Sequence, residues 1–328
     1  MKKRIVWIDL LRVIGILGVL IMHVVGNTIN NIDTLPNNAN SVYVFLGHLF
    51  EFSIPLFVMI SGMMFLSKKD ISFKDMITKY CLKIFLTITI IGSIMVIIEE
   101  LYLNNTVTFK IVFDRVVSGE LWAHMWYLYM ILGLYLITPV LTLITNLIKE
   151  KEFKMFLIIL FIFTILFNTL NINTAFSIGL SGYLFYYFYG YYLYKYDISK
   201  TYKYIHYLLA IISIVYIVYH VNDKCSLDYL FSYVSFVPFI IASSLILLFK
   251  DKDIKKCSNL ITSIGVCSFG IYVYHQVFIN IIYKGLKLDF IFNYPYIGII
   301  VYIIGIFCLT YGLTYVLKKV KIINKYFV

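Results

Sequence analysis

The chain has 328 residues, of which 61% are hydrophobic, 18% aromatic and only 14% charged, and its mean hydropathy is +0.88. A soluble domain carries about 45–50% apolar and about 25% charged residues, so this composition excludes a soluble globular protein and predicts a polytopic membrane protein. The net charge of +11 would suit a nucleic-acid partner. We predict no such partner, because the basic residues are distributed between loops as in a membrane protein.

Ten apolar segments approach or exceed the length of about 20 residues that crosses a bilayer. They lie at residues 5–25, 45–66, 81–102, 125–147, 154–172, 175–194, 205–221, 229–249, 265–283 and 294–317. The first exceeds the apolar part of a signal peptide, which has about 7–15 residues, so we predict a retained span. The predicted fold is therefore an all-α integral membrane protein with about ten transmembrane helices, and residues 1–328 form a single membrane domain.

Lysine and arginine concentrate in alternate loops between these segments. One set of loops, which includes both termini, holds 22 of them, the other set holds 5, and Arg12 lies inside the first segment. Because cytoplasmic loops carry the excess of positive charge, this bias predicts that both termini are cytoplasmic.

The first segment contains two polar residues that are costly inside a membrane, Arg12 and His23. Eleven residues of α-helix return to within about 20° of the starting direction and rise about 16 Å, so both side chains share one helix face at different depths. Intramembrane ionisable residues are candidates for function. The pair predicts an anion-binding group and a proton-transfer group along one path.

The predicted topology places a set of polar residues near the outer boundary, level with His23. His48 and Glu51 lie three residues apart at the start of the second segment, and His124 and Trp126 begin the fourth. Each has a structural alternative. His48 and Glu51 suit a pair that links helices, Trp126 suits an interfacial anchor, and His124 suits the same aromatic belt.

An inner set lies at the depth of Arg12. Ser61 and Gly62 of the second segment return to that depth. Asp9, three residues before Arg12, offers a purely structural ion pair, and Gly62 suits a close approach of two helices. His275, in the middle of the ninth segment, suits a hydrogen bond between helices.

These residues resemble the signature of the acyltransferase-3 family of integral membrane acyltransferases. Arg12 and His23, separated by ten residues, are similar to its leading motif, and Ser61-Gly62 to its element in the second span. Residues 124–139 resemble the family's tryptophan-tyrosine and Tyr-x-x-x-Pro elements. Residues 270–275 resemble its late histidine element. The matches extend from the first segment to the ninth. One departure is Gln276, where a proline is usual.

The resemblance implies an enzyme of class EC 2.3.1 in a bacterial plasma membrane. It takes an acyl group, usually acetyl, from cytoplasmic acyl-coenzyme A and passes it to a hydroxyl of a cell-surface glycan or its lipid-linked precursor. The partners implied are therefore the acyl-CoA donor, the glycan acceptor and membrane lipids, with no permanently bound cofactor. The residue matching His23 is regarded as catalytic in the family, and the one matching Arg12 as needed for donor handling.

The chemistry of these residues suits such a reaction. A sugar hydroxyl needs a base, and histidine, with an unperturbed pKa of about 6.5, is the usual one. Either Glu51 orients His23 or His48 shares its task. The fork of Arg12 suits the phosphates of the donor, and Trp126, Tyr129 and His124 are alternative donors to the developing oxyanion.

A secondary transporter or flippase for an anionic or glycan-linked substrate is the main alternative, because ten spans and charges within the membrane suit it as well. Five scattered cysteines show no metal-type spacing, and we predict no metal site.

Overall fold

A computed structural model describes residues 5–29, 37–68, 71–172, 182–221 and 228–327. These residues form helices joined by short connections, and no β-strand occurs among them. The prediction of an all-α fold is confirmed.

Fifteen helices are named in chain order. They are α1 (Val6–Ile29), α2 (Asn37–Phe50), α3 (Ser53–Leu66), α4 (Phe73–Tyr102), α5 (Phe109–Ser118), α6 (Ala123–Leu147), α7 (Glu150–Thr169), α8 (Gly182–Lys195), α9 (Lys200–His220), α10 (Asp228–Phe231), α11 (Phe236–Phe249), α12 (Ser258–Gly285), α13 (Phe290–Asn293), α14 (Pro295–Leu317) and α15 (Lys321–Tyr326).

Eight helical stretches in the described residues are long and apolar enough to cross a membrane, with α2 and α3 counted together as Ala39–Leu66. The chain is thus a multi-pass membrane protein. The other two predicted segments, 175–194 and 229–249, coincide in large part with the 14-residue helices α8 and α11. The helix in segment 229–249 is shortened because Ser235 has an extended backbone and ends a turn between α10 and α11. Residues 175–181 of segment 175–194 lie outside the described residues.

The chain divides into two compact units, residues 1–67 with 148–312 and residues 68–147 with 313–328. In the second unit, α4 and α5 are joined by Arg115, which donates hydrogen bonds of 2.7 Å to both Glu99 and Glu100. The hydroxyl of Tyr129 on α6 donates to the carbonyl of Val116 on α5. These contacts hold the ends of three helices together.

The second span of the chain is broken in the first unit. Helix α2 ends at Phe50, Glu51 and Phe52 form a turn, and α3 begins at Ser53. Pro55 lies in the first turn of α3, where its missing N–H costs no helical hydrogen bond. The break therefore follows from the position of the proline and leaves Glu51 at the junction.

Helices α1 and α12 run side by side in the same direction. Gly265 contacts Asp9 near the start of both helices, because a Cβ on Gly265 would lie 2.9 Å from that of Asp9. The rings of His23 and His275 meet further along, and the hydroxyls of Thr28 and Tyr283 lie 2.8 Å apart beyond them. The three contacts follow the same order in both helices, so the packing is parallel.

Helix α8 runs parallel to α11 and antiparallel to α7 and α9. Near the start of α8, Tyr186 donates to the carbonyl of Tyr233, just before α11, and Lys250 at the end of α11 donates to the carbonyl of Tyr196, just after α8. The hydroxyls of Tyr189 and Tyr202 join α8 to the start of α9. Alternating directions thus connect these helices in chain order.

Helices α3 and α8 cross closely at two glycines. A Cβ on Gly62 would overlap the carbonyl oxygen of Tyr187, and a Cβ on Gly190 would overlap that of Met59. Small residues allow such an approach of two backbones within a membrane. The structure therefore assigns Gly62 a packing role.

We expect Gly62→Ala to destabilise the protein, because the added methyl meets backbone that cannot rotate away. Overpacking of this kind costs about 1–3 kcal/mol. The matched control is Gly305→Ala on α14, which has open space around the new Cβ. Thermal unfolding of the detergent-solubilised protein measures both, and equal melting temperatures for the two variants would contradict the packing role.

Candidate functional site

The rings of His23 and His275 contact each other at the interface of α1 and α12. Their centroids lie 5.0 Å apart with an angle of 42° between the planes. His275 is 0% exposed. The sequence placed His275 within a span but did not pair it with His23, because the contact depends on the register of two helices about 250 residues apart.

The hydrogen bonding of His275 assigns the proton on its ring. Its Nδ1 lies 2.6 Å from the carbonyl oxygen of Tyr272 and 3.3 Å from that of Ile271. Because a carbonyl only accepts, Nδ1 carries the hydrogen and Nε2 of the neutral ring carries the lone pair. The Nε2 edge points away from the α12 backbone. His275 thus offers a proton acceptor beside the ring of His23.

Arg12 forms the predicted ion pair with Asp9. Its Nη1 lies 2.7 Å from Oδ1 of Asp9, whose side chain is 2% exposed, whereas that of Arg12 is 24% exposed. Within the described residues, Nε and Nη2 of Arg12 make no hydrogen bond to the protein. The pair therefore fixes one prong of the guanidinium and leaves two donor nitrogens available to a ligand.

His48 and Glu51 form the second predicted pair, at the junction of α2 and α3. Nδ1 of His48 lies 3.4 Å from Oε1 of Glu51, and about a fifth to a quarter of each side chain is exposed. The His48 ring stacks on Phe231, with centroids 4.1 Å apart. No sequence signal indicated Phe231 as a partner, because it belongs to the turn region before α11.

Ser61 lies on α3 at the depth of Arg12. Helices α1 and α3 are antiparallel, since Gly18 lies against Ser53 and Gly15 against Phe57. One more turn of α3 brings Ser61 level with Arg12. Its side chain is partly exposed, whereas the neighbouring Gly62 is buried against α8.

His124 and Trp126 belong to the second unit. His124 is buried in a short 3₁₀ turn, and Trp126 begins the α-helical part of α6 with its ring against Tyr127. Tyr129, a candidate donor to an oxyanion, donates its hydrogen to Val116. The structure thus commits Tyr129 to a helix contact.

Several contacts of the first unit carried no signal in the sequence. The hydroxyl pair of Thr28 and Tyr283 extends the contact of α1 with α12 beyond the two histidines. Tyr272 supplies the carbonyl that fixes the ring of His275. In the described parts of the chain, no group of three or more His, Cys, Asp or Glu residues is arranged to hold a metal ion.

Comparison with known proteins identifies the family of the chain. No curated protein and no solved structure matches the chain significantly. The family model described as an acyltransferase domain matches residues 5–319. This range contains both histidines of the α1–α12 interface, the Arg12–Asp9 pair and the broken span. The chain belongs to the acyltransferase-3 family of integral membrane acyltransferases.

Proposed function

We propose that this protein is an O-acyltransferase of class EC 2.3.1. It moves an acyl group, most simply acetyl, from cytoplasmic acyl-CoA to a hydroxyl of a cell-surface glycan or its lipid-linked precursor. The observation that carries the proposal is the contact of His23 with His275. The anion-binding Arg12 lies about 16 Å from His23 along the same helix face. A donor and an acceptor that approach from opposite sides of a bacterial plasma membrane fit this separation.

His23 is the general base of the proposed reaction. Because the two rings already lie in contact, we propose that in the substrate complex the N–H of His23 donates to Nε2 of His275. The other nitrogen of His23 then takes the proton of the acceptor hydroxyl. The hydroxyl oxygen then forms a bond to the thioester carbon, and the carbon–sulfur bond breaks. The proton taken by His23 passes to the departing thiolate, so the products are the ester and free coenzyme A.

The remaining predicted residues act on the substrates. Arg12 binds an anionic group of the donor through the nitrogens that Asp9 does not use, and Ser61 lies at the same depth. His48 and Glu51 form a partly exposed pair on the acceptor side, where Glu51 provides the carboxylate. A role for His124 or Trp126 as a donor to the developing oxyanion stays a prediction from the chemistry of these side chains.

We propose ten crossings with both termini cytoplasmic, which fit this division of sides. Helix α8 is antiparallel to α7, since Phe153 packs on Tyr196 and Phe161 on Phe185, and this direction supports a crossing by α8. Helix α11 is antiparallel to α9, since Ser244 near its end donates to the carbonyl of His206 near the start of α9, and this direction supports a further crossing by α11. The bias of 22 basic residues against 5 supports the orientation.

A transporter is the competing function, and the broken span favours it, because discontinuous helices line many transport sites. Membership of the acyltransferase-3 family favours acyl transfer. Incorporation of label from a radioactive acyl-CoA into glycan separates the two functions, since a transporter incorporates none.

The topology predicts the location of the loop after α8. With ten crossings, Asp197 is cytoplasmic, whereas eight crossings that omit α8 and α11 place it outside. We expect Asp197→Cys to resist a membrane-impermeant maleimide in intact cells and to react after permeabilisation. A cysteine introduced at Asn30 is the control and should react in intact cells. Labelling of position 197 in intact cells would contradict the ten-span topology.

The base assignment predicts unequal losses for the two histidines. His23→Ala should lower glycan acylation at least about 10²-fold, the lower limit for loss of a general base. His275→Leu should lower it about tenfold, the contribution of one hydrogen bond of ordinary strength. His275→Gln should restore part of the rate, because its amide oxygen replaces the acceptor at Nε2.

Mass spectrometry of the glycan at matched protein levels measures these rates, and His220→Ala on α9 is the control histidine. Near-normal acylation with alanine at position 23 would refute the mechanism. If His275→Leu and His275→Gln lose equal acylation activity and both lower the melting temperature, His275 acts only in packing.

The ion pair predicts different results for stability and activity. Asp9→Asn alone should lower the melting temperature, because it leaves a cation without its partner, an effect that reaches about 3–5 kcal/mol at fully buried sites and less at partly exposed ones. Asp9→Asn with Arg12→Gln should recover stability but stay inactive. A fully active double variant would show that Arg12 is structural. Asp75→Asn with Lys79→Gln, an exposed pair on α4, is the control.

A further inference from the structure

A groove of about 370 Å³ lies in the first unit, apart from the proposed site. Helices α7 and α9 form its two rims, and α8 and α11 form its floor. None of the proposed site residues lines it. Most of its surface is apolar or aromatic, with Leu157, Phe161, Phe185, Leu209, Phe239 and Ile240 among the lining residues.

The groove opens toward the membrane. The apolar side chains on the rims beside it are exposed, including Ile158 and Ile159 on α7 and Leu208 and Ile212 on α9. In a membrane-spanning helix, such faces contact lipid. A molecule that enters the groove between these rims therefore comes from the hydrocarbon of the bilayer.

The polar groups in the wall of the groove satisfy one another. Nδ1 of His206 lies 3.0 Å from the carbonyl of Tyr202 and carries the hydrogen, so Nε2 accepts from the hydroxyl of Tyr189 at 3.1 Å. The hydroxyl of Tyr202 donates to that of Tyr189 at 2.7 Å. All three donors are used, and the wall requires no polar group from an occupant.

One end of the groove carries a cation. Lys154 lines it in the first turns of α7 and is 48% exposed, with its ammonium 2.6 Å from Glu150. The proposed topology places this end at the cytoplasmic surface, the depth of lipid headgroups. Two of the three N–H donors of this ammonium go to Glu150 and Tyr192, which leaves one for the phosphate of a headgroup.

We propose that this groove binds one hydrocarbon chain of a phospholipid, with the phosphate of its headgroup against Lys154. The lipid fills the space between α7 and α9 and packs on α8. This site does not depend on the acyl-transfer chemistry, because its residues are separate from those of the proposed mechanism.

Photocrosslinking in nanodiscs tests the proposal. The full-length protein is reconstituted with phosphatidylglycerol that carries a diazirine in its acyl chain, and labelled peptides are mapped by mass spectrometry. We expect labelling of the groove-facing residues of α7 and α9. Leu209→Trp, which fills the groove, should lower it about tenfold, as expected for loss of contact with two methylene groups. Leu208→Trp, on the adjacent lipid-facing position, should leave it unchanged.

A second pair of variants tests the contact of the lipid headgroup with Lys154. Lys154→Gln should lower labelling about fivefold, the contribution of one lysine near a lipid headgroup, whereas Lys151→Gln should have no effect. If Leu209→Trp does not fold, Leu209→Phe replaces it. Equal labelling of the Leu208 and Leu209 variants would overturn the proposal. Labelling by a photoreactive polyprenyl phosphate but not by phosphatidylglycerol would overturn it as well, in favour of a lipid carrier.

Discussion

Helices α1 and α12 run in the same direction, and Gly265 lets them approach closely enough for their polar side chains to meet. Asp9 is buried at one end of this interface, and the rings of His23 and His275 meet further along. A larger residue at position 265 would separate the helices at their start. Both the position of Arg12, through Asp9, and the surroundings of His23 depend on this contact.

Polar groups inside an apolar bundle need partners, since an unsatisfied group is costly there. Asp9 neutralises Arg12, Glu51 pairs with His48, and the carbonyl of Tyr272 accepts from His275. Each pairing is local, within four residues on one helix or across its break. These pairings hold each group in one orientation.

The crossing of α3 and α8 connects two parts of the first unit. Gly62 and Gly190 bring the backbones together, which places Ser61 beside a rigid contact. The other face of α8 carries Tyr189 and forms the floor of the lipid groove. The serine-glycine element thus combines a polar residue at the depth of Arg12 with a glycine that packing requires.

The sequence by itself determined the membrane class, the all-α fold, the family and the local pairs Asp9–Arg12 and His48–Glu51, because apolar length and spacing along one helix are written in consecutive residues. It did not reveal the break at Glu51 and Phe52, although Pro55 was a signal for it, nor the shortened helix α11. Only the tertiary structure decided that His275 meets His23, that Gly62 packs on Tyr187 and that Tyr129 is committed to Val116. These contacts depend on the register and direction of helices that are distant in the chain, which spacing along a single helix does not specify.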